Sequence, residues 1–395
     1  MGAAEDQLLT PAYWQSRSPD LRLNPLVRLE SETLETYLEA SEVLQGHVIF
    51  ATSGSGGQPK MVALSKDALL ASAKAVNAHL QVSTKDKWLS ALPTFHVGGF
   101  GVWARAYTAG NAVVPFTGKW RAERFVKLCQ DEEVTLTSLV PVQVYDLVKA
   151  AARAPESLRA VIVGGGKLAT ELGQEARELG WPVLQSYGMT ETASQVATQN
   201  LDSLDHAFEN EDLPLISPWK ARATEDGRLE LCGPGLFFGY LTKAESGWHF
   251  ERGAVQTEGD GEEWFSTEDQ GEVETTANGQ VLRVQGRRGR MIKILGELVC
   301  LDGLESRLAR VAGLDAPFLT LHAMPDARNG HRILLVTESR VSPQRAHDIL
   351  KRFNAEVAPF EKADAVVRIE GIPRSSLGKI RRDALARLVA EQTSA

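Results

Sequence analysis

The chain has 395 residues, 43% of them hydrophobic, with 51 acidic and 43 basic side chains and a formal net charge of −8. That length and apolar share can bury a substantial core in more than one domain, and the acidic balance excludes a general nucleic-acid binder, whose footprint is a basic surface. Cys129, Cys232 and Cys300 are far apart and match no CxxC or Cys/His spacing. They read as buried small hydrophobes of a reducing compartment, not as disulfides or metal ligands. No basic stretch followed by an apolar one opens the chain, and no apolar run approaches the ~18 residues of a membrane span. The expected location is the cytoplasm.

In chain order, short apolar runs at 48–52, 88–92, 112–116, 134–139, 160–164 and 183–186 predict strands. Helical periodicity at 66–80, 121–132, 142–152 and 169–179 separates them, with Ser65 as a cap of the first helix. This alternation predicts an α/β fold, a mainly parallel sheet flanked by helices. Ligands of such sheets bind beyond the carboxyl ends of the strands, where the loops at 52–60, 164–167 and 187–192 emerge. Residues from about 200 to 286 are rich in Gly, Glu and Thr and read as a β-rich part completing a large domain, 1–286. After a hinge at 287–290, the pattern at 291–395 is that of a small α+β domain with helices at 303–311 and 343–355, strands at 318–323 and 333–338, and a basic terminal helix.

The segment Thr52-Ser53-Gly54-Ser55-Gly56-Gly57-Gln58-Pro59-Lys60 joins glycines and hydroxyls to one cation, a composition that can form a nest of donors around a polyphosphate. It is not the P-loop of common NTPases, because Pro59 precedes the lysine and Met61 follows it. Four further segments follow: Gln185-Ser186-Tyr187-Gly188-Met189-Thr190-Glu191-Thr192, Trp264 to Gly271, Gly286 to Lys293, and Pro373-Arg374-Ser375-Ser376-Leu377-Gly378-Lys379-Ile380. In this order the five segments resemble the adenylate-forming superfamily of acyl-CoA synthetases, luciferases and nonribosomal adenylation domains, over roughly residues 47–388.

The resemblance implies a two-step activation of a small-molecule carboxylic acid with ATP, Mg²⁺ and coenzyme A. It places Thr52, Ser53, Gly54, Ser55, Gly57 and Lys60 on the β- and γ-phosphates. Gly164, Gly165 and Gly166 would lie under the adenine, Tyr187 would stack on it, and Gly188 and Met189 would complete that wall. Thr190 would bond the α-phosphate and Glu191 would hold the metal. Asp269 and Arg287 would take the ribose, Gly289 would serve the hinge, and Lys379 would bridge carboxylate and α-phosphate. Gly56, Glu268, Gly289 and Arg290 depart from the usual residues at their positions.

Leu92-Pro93-Thr94-Phe95-His96-Val97-Gly98 and Ser138-Leu139-Val140-Pro141-Val142-Gln143 look most like the o-succinylbenzoate–CoA ligases of menaquinone biosynthesis. That likeness implies a pocket walled by His96, Val97, Gly98, Ser138, Pro141 and Ser194, with His96 orienting the carboxylate. Only about 50 residues precede the phosphate loop, fewer than the superfamily's usual share, which favours a compact aromatic acid over a long fatty chain. Another aryl- or acyl-CoA ligase, an enzyme loading a carrier protein and a non-catalytic nucleotide-binding protein stay open as alternatives. The reading leaves room for a homodimer and implies no membrane partner.

Overall fold

Strands and helices alternate between residues 87 and 199 because each strand carries apolar side chains on both faces. The computed structural model describes residues 4–24, 31–52, 60–244, 247–253, 255–257, 259, 261–287, 290–294, 297–326 and 329–393. Its central sheet has six strands in the order Ala112–Pro115, Lys87–Ser90, Leu136–Leu139, Ala160–Val163, Val183–Met189 and Ser194–Thr198. The first five run parallel and the last antiparallel. Successive side chains point to opposite faces. Accordingly Trp88, Leu136, Ala160, Ile162 and Leu184 join one core with the helices Lys66–His79 and Val97–Ala109, while Leu89, Leu139, Val161, Val163 and Val183 join another with Ala122–Asp131, Pro141–Lys149 and Thr170–Glu178. Ser65 caps its helix as expected, its Oγ accepting the Ala68 N–H at 3.0 Å.

One expectation is corrected. The strand His47–Thr52 does not belong to the parallel sheet. It pairs antiparallel with Lys60–Ser65 in a second, five-stranded sheet with Asp20–Arg22, Gly239–Ala244 and Gly247–Arg252. The physical reason is the short connection: a parallel crossover needs a dozen residues or more, and the link here allows only a hairpin. The segment at 52–60 therefore joins two antiparallel hairpin strands, although His47–Thr52 also pairs in parallel with Asp20–Arg22 on its other edge. The helix Val97–Ala109 and the strand Ala363–Ile369 were not among the predicted elements. Cys129 and Cys232 are buried as expected, whereas Cys300 is partly exposed.

A third sheet confirms the β-rich reading of the middle of the chain: Leu213–Pro214, Gly279–Arg287, Glu263–Thr276, Arg228–Cys232 and Lys220–Ala223 lie side by side, with Val255–Thr257 added to Glu263–Thr276. Residues beyond 290 build cores of their own. Leu319–Asp326, Gly330–Glu338 and Ala363–Ile369 form a three-stranded sheet. Leu301–Ala312 and Pro343–Glu356 cover one face and Arg382–Thr393 the other. A half-buried charge cluster ties this part together: Glu305 accepts from Arg382 at 2.9 and 3.0 Å and from Arg290 at 2.6 Å. Among the described residues no helix is long and apolar enough to cross a membrane.

Candidate active site

The carboxyl ends of the parallel strands build the site, as in other open α/β sheets. Leu139 and Val140, Gly164 and Gly165, and Ser186, Gly188, Met189 and Thr190 lie at or just beyond the carboxyl ends of three of these strands and line a cavity of about 120 Å³. His96, Val97, Gly98 and Arg105 wall it from the entry and body of the helix Val97–Ala109, and Ser138, Ser194 and Gln195 complete it. Leu377 and Lys379 reach it from the C-terminal part. The structure brings the expected site residues His96, Val97, Gly98, Ser138, Ser194, Gly164, Gly165, Gly188, Met189, Thr190 and Lys379 together in one cavity wall. Pro141 and Gly166 do not line it. Pro141 opens the helix Pro141–Lys149, and a Cβ on Gly166 would lie 3.6 Å from its ring.

The turn after Gly188 is built under strain. Met189 pairs with Ser194 across a tight turn, and Ala193 and Ser194 have φ of 52° and 109°. L-residues avoid that region at a cost of ~1–3 kcal/mol each, and such strain clusters at functional sites. A Cβ on Gly188 would lie 1.6 Å from the Ser194 carbonyl oxygen, so only glycine fits. The Tyr187 hydroxyl donates to Asp269 Oδ2 at 2.7 Å, joining the parallel sheet to the β-rich part. Asp269 is buried and pairs in register with Arg287, whose side chain lies outside the described residues. The Tyr240 hydroxyl donates to Glu191 Oε1 at 3.2 Å. Burial, then the neighbouring Glu191, pushes that phenol above its usual range, so it stays a donor.

Among the described residues no group of three metal-ligating side chains occurs. One oriented carboxylate, Glu191, is nonetheless the donor set expected for Mg²⁺, which keeps waters and phosphate oxygens as its other ligands. The expected phosphate-loop residues Ser53, Gly54, Ser55 and Gly57 and the hinge residue Gly289 lie outside the described residues, as do the side chains of Thr52 and Lys60 at the hairpin ends.

Lys379 is carried on a tight hairpin. The Gly378 N–H donates to the Ser375 carbonyl at 2.9 Å, and the Ser375 N–H to the Lys379 carbonyl at 2.7 Å. Gly378 has φ of 75°, a turn conformation that favours glycine. The Arg374 guanidinium braces the turn by donating to the Gly378 carbonyl at 2.8 Å. Ser376, at the tip, lies 3.2 Å from His96 Nε2 and accepts from Asn24 Nδ2 at 3.2 Å. Burial, then the charge of Lys379, lowers the His96 pKa to about 4, which keeps the imidazole neutral near pH 7.

Sequence reasoning missed Arg105. It is 1% exposed, and its Nη1 donates to Ser138 Oγ at 3.3 Å. Its guanidinium carbon stands 5.2 Å from the centre of the Trp88 ring. Among the described residues no carboxylate pairs with it, and burial alone lowers its pKa to about 10. It is the only charged residue in the stretch Val97–Ala109, a signal that was available in the sequence.

The AMP-binding enzyme family matches residues 37–241, about half of the chain. The chain belongs to that family. Its relatives include 2-succinylbenzoate–CoA ligases of Bacillus licheniformis, 28% identical over 89% of this chain and 72% of that one, and of Staphylococcus aureus strain MSSA476, 28% identical over 86% and 66%. The chain thus spans about two thirds to three quarters of their length. Among solved structures it is similar to the O-succinylbenzoate coenzyme A synthetase of Bacillus subtilis in complex with AMP, at 26% identity and a TM-score of 0.70, covering 86% of this chain and 68% of that one. The complex of that enzyme with its acyl-adenylate intermediate gives 26% identity and a TM-score of 0.69 over 86% and 68%. The same fold is seen in its complex with ATP and magnesium, at 22% identity and a TM-score of 0.72 over 97% and 82%.

Proposed function

We propose that this family member is an ATP-dependent 2-succinylbenzoate–CoA ligase of menaquinone biosynthesis, acting in the cytoplasm. The acid and ATP give an acyl-adenylate and pyrophosphate, and the thiol of coenzyme A then displaces AMP. The observation that carries the choice of acid is Arg105. 2-Succinylbenzoate has two carboxylates. One must reach the α-phosphorus beside Lys379, and the other then lies in a cavity that holds a buried guanidinium with no carboxylate partner among the described residues. Arginine binds a carboxylate through two parallel N–H bonds. A monocarboxylic acid would leave that cation buried and unpaired, which is costly.

In the adenylation step two anions must meet, so positioning and electrostatics dominate. We assign Lys379 to the charge that develops between the carboxylate and the α-phosphate, with Thr190 bonding the same phosphate. Neutral His96 orients the incoming carboxylate without adding a competing cation. Tyr187, Gly164 and Gly165 hold the adenine, Asp269 and Arg287 the ribose, and the segment from Thr52 to Lys60 the outer phosphates. Glu191, oriented by Tyr240, would hold Mg²⁺, which neutralises phosphate charge when bound. We take 1–286 and 291–395 as two domains pivoting at 287–290, so that Lys379 leaves the site before the thiol enters.

Mass spectrometry of products from the purified protein with ATP, Mg²⁺ and coenzyme A tests this across a panel of acids. Formation of 2-succinylbenzoyl-CoA and AMP, well ahead of benzoate, coumarate and fatty acids, is expected. A thioester formed faster from a monocarboxylic acid would overturn the assignment of the acid.

A further inference from the structure

Arg105 holds its place because the residue one helical turn earlier has no side chain. On the helix Val97–Ala109, residues 101 and 105 share a face, and long helical side chains fold back over the preceding turn. A Cβ added to Gly101 would lie 2.9 Å from Arg105 Nη2, closer than real side chains approach, and 3.7 Å from the Cβ of Ser194. Two other sides of the guanidinium are occupied. The Trp88 ring centre is 5.2 Å from its carbon, and Ser138 Oγ is 3.3 Å from Nη1. Trp88 is fully buried, and its indole N–H has no partner among the described residues, so shape and its π face are what fix the ring. The remaining direction is the cavity, which Arg105 lines.

A buried cation is usually held by a carboxylate, but a carboxylate here would cancel the charge that a substrate anion needs. An aromatic face attracts a guanidinium without carrying net charge. We propose that Gly101 and Trp88 are specificity-determining positioning residues, which seat the Arg105 guanidinium in the cavity wall as the counter-charge of the substrate's second carboxylate. This rests on the assignment of Arg105 made above.

The test compares the wild-type protein with Gly101→Ala, Trp88→Phe and Arg105→Met. The acids are 2-succinylbenzoate and two analogues that each lack one carboxylate, 2-butanoylbenzoate and 4-oxo-4-phenylbutanoate. The analogue that still forms a thioester keeps the reacting carboxylate and serves as the reference acid. For Gly101→Ala, the preference for 2-succinylbenzoate over the reference acid should fall at least ~10-fold, through KM and not kcat, as loss of a charged contact does. Thermal stability should hold or rise, because alanine favours a helix interior over glycine by ~1 kcal/mol. Trp88→Phe, which keeps a weaker π face, should lower the preference in the same direction by less.

An unchanged preference in Gly101→Ala, with a lost preference in Arg105→Met, would overturn the seat while leaving the assignment of Arg105 intact. Equal losses with both acids at a lowered melting temperature would reduce Gly101 to a packing role and overturn it too. An unchanged preference in Arg105→Met would remove the assignment of Arg105, and the seat with it.

Discussion

Replacing Arg105 by methionine should raise stability and remove acid selectivity together. The guanidinium is buried, with no carboxylate partner among the described residues, and burial lowers its pKa from 12.5 to about 10. Each tenfold change in an ionisation constant is ~1.4 kcal/mol, so keeping this cation in the fold costs about 3 kcal/mol at neutral pH. The sign follows from the direction: a base whose pKa is lowered on folding disfavours the folded state at every pH where it stays protonated. Methionine is flexible and apolar enough to fill the space beside Trp88. Denaturant unfolding of Arg105→Met should therefore show a gain of ~1–3 kcal/mol, the lower end allowing for imperfect packing. Over the same substitution, KM for 2-succinylbenzoate should rise ~30-fold to ~10³-fold, the range for a buried charge-assisted pair of ~2–4 kcal/mol. Steady-state release of AMP and pyrophosphate measures the second quantity. A destabilised variant with an unchanged KM would refute both halves, since it would mean that Arg105 already has its partner within the protein.

Lys379→Ala should slow acid-dependent pyrophosphate release at least ~10²-fold, while thioester formation from preformed acyl-adenylate falls much less; equal losses in both half-reactions would contradict the role of Lys379. Ser376→Ala removes the contact to His96 and Asn24 that seats the lysine hairpin, and should lower adenylation ~3- to 10-fold, about the worth of one or two hydrogen bonds, with the thioester step unchanged. Acidification should loosen the C-terminal part first. Burial by itself raises the Glu305 pKa, but Arg382 and Arg290 hold it down to about 2, against 4.5 when unfolded. This acid whose pKa is depressed contributes about 3 kcal/mol above pH 4.5, and the contribution is lost as pH falls towards 2. Glu305→Gln should flatten that part of the acid-unfolding curve; an unaltered curve would rule out Glu305 as its source.

What was legible in the sequence followed from local chemistry. The strands at 88–92, 160–164 and 183–186 were found because their apolar runs serve two cores at once, and the glycines after them because a sheet ends there. His47–Thr52 was assigned to the wrong sheet because an apolar strand looks the same whichever partner it takes; only the length of the following connection distinguishes the two. The helix Val97–Ala109 was missed because Gly98, Gly99 and Gly101 are poor helix formers, although tertiary packing overrides that propensity. The contact between Tyr187 and Asp269 joins residues far apart in sequence and could be expected only through resemblance. Arg105 was visible as a lone charge in an apolar stretch. Its lack of a carboxylate partner was not, because an unpaired charge is a property of every element packed around it.

That unpaired charge bears on the order of the two half-reactions. Before adenylation, 2-succinylbenzoate offers one carboxylate to Lys379 and one to Arg105, under the assignment proposed above. Forming the acyl-adenylate converts the first carboxylate into a mixed anhydride and removes the charge that attracted the lysine hairpin. The second carboxylate is untouched, and in a buried site its attraction to Arg105 is weakly screened. The tip of the hairpin rests on polar contacts of Ser376 to Asn24 and His96, whereas the guanidinium is buried beside Trp88. On the pivot proposed above, the intermediate would therefore loosen its hold on the lysine hairpin and keep its hold on Arg105. An acid with one carboxylate has only the anchor to Lys379 and loses it at that step, so its adenylate should leak from the site before the thiol arrives. The ratio of AMP released to thioester formed should consequently rise above one for monocarboxylic analogues and for Arg105→Met, and stay at one for 2-succinylbenzoate with the wild-type protein.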